Sequence, residues 1–267
     1  FHKDRGGKLI AGPIWDFNIS SGSRDRFGRP PRPSEPEVWR GISGDRGTDF
    51  FGNSTQRWWG DLFADRDFQQ AYCDRWNELR DGEFSTENIN AIIDGMAEEV
   101  REAQTRNEGR WPEVPPEYGG WQGEIDHLKD WLATRSAWID NEFVAPPNAS
   151  PAAGALEAGA MVTLTGHRQG TLYYTTDGSD PRAAGGGVSA AAIAYGGPFT
   201  LETSSILPLR ENMPNYQPLP DGPDQQWSAP ATIAYVTGQV PANASDLAIS
   251  EIMYHPSNPS EAEIAAG

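Results

Sequence analysis

The stretch of this chain best equipped for chemistry is Trp15-Asp16-Phe17-Asn18, an aspartate held between two large aromatics. A carboxylate in such company, if buried, has to be paired, hydrogen-bonded or bound to a metal. Asp16 supplies a hard, charged oxygen, and Asn18 a neutral amide oxygen. The other reading of the same residues is a structural Asp16 that caps a following turn. Just ahead, Leu9 to Ile14 is an apolar run too short for a helix and closed by turn residues, which reads as a buried strand. Pro13 falls late in that run, where a missing backbone donor is tolerated. Asp4-Arg5-Gly6-Gly7-Lys8 in front of it has turn chemistry, with two glycines free to take positive φ. The remaining candidates are weaker. The single cysteine, Cys73, lies in a helical pattern without a histidine base nearby and reads as packing. His2, His127, His167 and His255 show no metal-ligand spacing.

The elements that must carry such a site come from a chain of 267 residues, long enough for two domains and part of a third. Net charge is −17, and both halves are acidic, which excludes non-specific nucleic-acid or anionic-membrane binding. No apolar run reaches the ~18 residues that a membrane span needs. The 29 glycines and 22 prolines predict many loops without a collagen-like period.

Residues 3–22 resemble the CotH kinase family, the spore-coat-protein-H-like atypical kinases. The resemblance is carried by Lys3-Asp4-Arg5-Gly6-Gly7-Lys8-Leu9 and Gly12-Pro13-Ile14-Trp15-Asp16-Phe17. It implies that Asp16 plays the part of the kinase metal-holding aspartate, with Mg²⁺ or Mn²⁺ on ATP. Asn18 stands where the family usually has a second Asp, so it would bring an oxygen to the cofactor without a charge. The resemblance extends to about residue 143. It implies that the nucleotide-gripping lobe and the catalytic carboxylate precede Phe1, and that the chain is a fragment which alone neither binds ATP tightly nor transfers phosphate.

Residues 24–60 read as a long irregular region, in which four arginines and three prolines of residues 24–33 read as a solvated, semi-rigid loop, with phosphate recognition by the arginine forks as the alternative. Helical periodicity follows. Asp65 is an N-cap, with Phe68, Tyr72, Trp76 and Leu79 on one face and Gly82 at the C′ position. Ser85 caps a second helix with Ile89, Ile92, Ile93, Met96 and Val100 at helical spacing. A third helix runs from about Trp121 to Ile139, with Ile125, Leu128, Leu132 and Ile139 inward. Residues 144–160 are Pro-, Ala- and Gly-rich without periodicity and read as a flexible linker. Short strands are then expected at 161–165, 171–175, around Ile193, at 198–201 and at 233–236, which makes 161–236 a small β-sandwich. Asp177 and Asp180 belong to a turn and fall short of a calcium site.

Leu172 to Arg182, LYYTTDGSDPR, resembles the chitobiase/β-hexosaminidase C-terminal domain, an accessory sandwich, and Trp227-Ser228-Ala229-Pro230 supports it. After a second linker, Leu247 to Pro256 resembles the first strand of a lamin-tail-type domain, cut short within 246–267. The expected fold class is therefore α+β and multidomain: a mostly helical, kinase C-lobe-like part followed by a small β-sandwich. The resemblance implies an extracytoplasmic, secreted or cell-surface protein kinase whose partner is a protein substrate. The alternative is a surface adhesin that has lost catalysis and binds a cell-surface polymer or carbohydrate.

Overall fold

The computed structural model of the protein describes residues 4–8, 10, 36–37, 62–112, 116–157, 159–216 and 227–238. Three helices come first. Helix α1 (Arg66–Arg80) starts where predicted: the Asp65 carboxylate accepts the Asp67 and Phe68 N–H groups at 2.9 and 2.8 Å. Gly82 follows the cap at C′, its N–H on the Leu79 carbonyl at 3.0 Å. Helix α2 (Thr86–Arg110) is capped by Ser85, whose Oγ accepts from Asn88 N. Helix α3 (Trp121–Glu142) has no side-chain cap. Residues 117–118 fold over its first turn instead, with the Glu124 carboxylate accepting both of their N–H groups. Gly123 is required there, because a Cβ would lie 1.7 Å from the Tyr118 carbonyl oxygen.

The helical core forms where α1 meets α3. Phe63, Cys73, Ile139 and Phe143 are buried, with Phe68, Trp76 and Trp138 packed around them. Phe63 meets Phe68 and Tyr72 edge-on at 5.1 Å each, the geometry that aromatic quadrupoles prefer. Asp140 on α3 accepts from Trp76 Nε1 at 2.9 Å and from Arg80 Nη2 at 3.0 Å, fixing the register of the two helices. Helix α2 departs from expectation. None of its residues is buried, and Ile92, Met96 and Val100 face solvent.

The second half is a sandwich. One sheet has order β1-β3-β6 and the other β2-β8-β7-β4-β5. Strands β1 (Asn148–Ser150), β3 (Met161–Thr165) and β6 (Phe199–Thr200) make the smaller sheet. Strands β2 (Gly154–Leu156), β4 (Thr171–Tyr174), β5 (Ile193–Ala194), β7 (Ser205–Asn212) and β8 (Ala231–Thr237) make the larger. All pairs are antiparallel except β2 with β8. Val162, Leu164, Leu172, Leu207, Leu209 and Tyr235 fill the space between the sheets.

Two expectations change here. Residues 144–160 are not a free linker: β1 and β2 lie within them, and Leu156 enters the sandwich core. Val144 is buried, and its carbonyl accepts from Ala229 N at 2.9 Å. Strands of three residues are too short to display an alternation, so composition alone marked the stretch. The central strand β7 was also not expected. Pro208 lies in its middle and Arg210 and Glu211 near its C-terminal end, residue types that argue against a buried strand. The lamin-tail-like residues 246–267 lie outside the described residues.

Candidate functional site

Asp16 and Asn18, the predicted metal- and cofactor-binding pair, lie outside the described residues, as do residues 9 and 11–14 of the expected buried strand; its Ile10 is described and is exposed. The turn ahead of that strand is described and has the predicted form. Gly7 N donates to the Asp4 carbonyl at 2.9 Å, and Gly6 takes φ +80°, a value only glycine adopts freely. Arg135 on α3 donates to the Pro36 carbonyl at 2.8 Å. Cys73 is fully buried, and burial, helped by the Asp74 charge, pushes its thiol well above the usual range. It packs and does not ionise. His127 stacks on Tyr118 at 3.6 Å, and a ring nitrogen of His167 meets the Pro146 carbonyl at 3.0 Å. Among the described residues no group of three or more His, Cys, Asp or Glu could hold a metal ion.

The densest polar constellation among the described residues sits where α1 lies on the outer face of the larger sheet. Arg210 points outward from β7 and is only 4 % exposed. Its Nη1 and Nη2 donate to the two Asp74 oxygens at 2.9 and 2.8 Å. Its Nε and Nη2 donate to the two Asp180 oxygens at 2.8 Å each. Nη1 also reaches the Ser228 carbonyl at 2.8 Å, so all five guanidinium donors are used. Burial alone would lower the Arg210 pKa, but the hydrogen bonds to Asp74 and Asp180 outweigh it and hold the group further toward the charged form.

A second contact sits about two turns away on α1. Asp67 accepts Arg182 Nη2 at 2.5 Å and Gly185 N at 2.9 Å. The Gly185 N–H, then Arg182, lower the Asp67 carboxyl below its ordinary value. Between the two, Gln70 Nε2 bonds Asp74 at 2.8 Å and reaches the Ser228 carbonyl at 3.3 Å. Asp67, Gln70 and Asp74 thus form a polar stripe at helical spacing, and it docks onto residues of the accessory-domain motif. Asp177 stays within its own turn, accepting from Ser179 N and Oγ. Asp180 does more than turn chemistry, since it holds Arg210.

Glu211, beside Arg210 on β7, points the other way. Its buried carboxylate accepts from His167 N at 2.6 Å, Arg168 N at 3.0 Å and Gly170 N at 2.6 Å. Gly166 and Gly170 leave room for it, since a Cβ at either would fall within 3.0 Å of the Glu211 side chain. Beside the junction, a cleft of about 550 Å³ opens between Asp74, Asn77 and Glu78 of α1 and Pro146, Ala229 and Pro230 of the sandwich. Its walls mix carboxylates with apolar surface and carry no nucleophile–base pair.

In sequence the docking stripe is easily missed, because a polar helix face in contact with another unit looks like a solvated one. The signal that existed was the Asp67/Gln70/Asp74 spacing opposite an aromatic face already assigned to the core.

Comparison with known proteins divides the chain at the same place. The family model described as CotH kinase protein matches residues 1–139. The model of the chitobiase/beta-hexosaminidase C-terminal domain matches residues 151–209. No curated protein and no solved structure matches the chain. Among the described residues no helix is long and apolar enough to cross a membrane.

Proposed function

The chain belongs to the CotH kinase protein family, and on that premise we propose that it is part of a protein kinase that transfers the γ-phosphate of ATP to a protein hydroxyl. The observation that carries this reading is the family match over residues 1–139, a range that contains Trp15-Asp16-Phe17. Phosphoryl transfer needs positioning and charge neutralisation more than covalent chemistry. Asp16 is the residue that would hold Mg²⁺ or Mn²⁺, and Asn18 would offer a neutral oxygen. The metal, when bound, neutralises charge on the phosphates. The chain's own part would be to supply the Asp16 carboxylate shortly after the glycine turn in sequence, and to brace the first of the helices that follow against the sandwich. Secretion or display at the cell surface belongs to the same proposal.

The test is incubation of the full-length protein with labelled ATP and Mg²⁺ or Mn²⁺, followed by detection of phosphoprotein. A second reading, a surface-binding protein without catalysis, draws on Asn18 standing where the family pattern has an acid. It expects no label under either metal, together with retention of the protein on a cell-surface polysaccharide.

A further inference from the structure

Helix α3 ends against the local rules for ending a helix. Its last turn, Ile139-Asp140-Asn141-Glu142, holds two carboxylates and no basic residue, at the end where the helix dipole is negative. The C-cap Phe143 takes extended φ −91° and ψ 137°, so no left-handed residue folds the chain back over the last carbonyls. Asp140 is met by Arg80 of α1. The open carbonyls of Asn141 and Glu142 are met from the other half of the chain. Arg168 Nη2 donates to the Asn141 carbonyl, and Tyr216 Oη donates to the Glu142 carbonyl at 2.8 Å. The two donors support each other, with the Arg168 guanidinium over the Tyr216 ring at 5.2 Å from its centroid. Burial raises the Glu142 carboxyl above its ordinary value, and Arg168 is the charge that opposes the rise. The sandwich sets the place of Arg168. The loop that carries it hangs on the buried Glu211 carboxylate through the N–H groups of His167, Arg168 and Gly170.

We propose that the sandwich is the C-terminal cap of α3, with Arg168 supplying a cation and a donor and Tyr216 a second donor. The CotH match stops at residue 139, inside this last turn. The groups that close the turn lie in the neighbouring unit: Arg168 within the accessory-domain match over 151–209, and Tyr216 beyond it. Asp67 and Asp74 hold the sandwich to the side of α1, and the Arg168–Tyr216 pair holds it to the end of α3. Contacts on two separate helices fix its orientation as well as its proximity. The sandwich is therefore a structural part of the helical, kinase-family region, which needs it to finish its last helix.

Hydrogen exchange of residues 1–267 tests this, read at the amides of 140–143 against those of Leu207 and Leu209 in β7. In the double variant Arg168→Met/Tyr216→Phe, the amides of 140–143 exchange about tenfold faster than in wild type, while Leu207 and Leu209 stay within about twofold. Arg168→Lys, which keeps the cation and a donor, retains most of the wild-type protection. Unchanged exchange at 140–143 in the double variant, or a rise that Leu207 and Leu209 share in full, overturns the proposal. Arg168→Lys no better protected than Arg168→Met overturns the part assigned to the Arg168 charge.

Discussion

Asp74 and Arg210 are 136 residues apart in the chain and meet through two parallel hydrogen bonds, Oδ1 to Nη1 at 2.9 Å and Oδ2 to Nη2 at 2.8 Å. Asp74 lies within the region 1–139 that matches one family model, and Arg210 directly follows the region 151–209 that matches the other. A buried guanidinium is costly unless its charge and all its donors are met, and here two carboxylates and a carbonyl meet them.

Removing one carboxylate should therefore be felt by both units. Asp74→Ala leaves Arg210 with Asp180 and the Ser228 carbonyl. We expect a loss of about 2–3 kcal/mol, below the full cost of breaking a buried pair because Asp74 is partly exposed. Urea unfolding of Asp74→Ala, Arg210→Met and the double variant measures it. The double variant should lie nearer to wild type than the sum of the two singles.

The same contacts predict how proteases treat the chain. With β1 and β2 hydrogen-bonded into the two sheets, residues 144–157 should resist cleavage under native conditions. Rapid cutting there, yielding two resistant pieces, would contradict the docked arrangement.

Acid should loosen the Asp67 contact. Its folded carboxyl is held below the ordinary value of 3.8 by the Gly185 N–H and Arg182. A depressed carboxyl contributes stability that is present above the unfolded value and lost as pH falls through the folded one. Wild type and Asp67→Asn should thus differ in melting temperature at neutral pH and converge as pH drops below 3.8. A difference that stays constant across that window would contradict the assignment.

Glu211 should not tolerate even its closest replacement. Gln keeps the shape but turns a donor toward backbone N–H groups that need acceptors. We expect a loss of about 2–3 kcal/mol in Glu211→Gln by urea unfolding. Gly170→Ala should destabilise as well, because its Cβ would sit 2.3 Å from the Asn212 carbonyl oxygen.

Local signals in the sequence were legible where a single residue does a local job. Asp65 and Ser85 cap the helices they were expected to cap, and the turns at Gly6 and Asp177 form as their residues require. What failed was everything decided by distant partners. Arg210 and Glu211 hide β7, since their burial depends on Asp74, Asp180 and backbone donors that a local pattern does not display. Asp67, Gln70 and Asp74 look like a wet helix face until the sandwich is beside them. Ile92, Met96 and Val100 failed in the opposite sense: their spacing promised a core, and the fold leaves them outside. Asp16 and Asn18 are legible only through their neighbours in sequence.

The assignment of Asp16 can be tested without disturbing shape. Asp16→Asn keeps the side-chain outline and removes the charge that a metal on ATP requires. The decisive measurement is labelled phosphate transfer from ATP by the full-length protein with Mg²⁺ or Mn²⁺, comparing wild type, Asp16→Asn and Asn18→Asp at matched thermal stability. Loss of transfer by orders of magnitude in Asp16→Asn, with Asn18→Asp as active as wild type or more so, is the result predicted. Full activity in a stably folded Asp16→Asn would contradict it, because Asn replaces Asp well as a cap and poorly as a metal ligand.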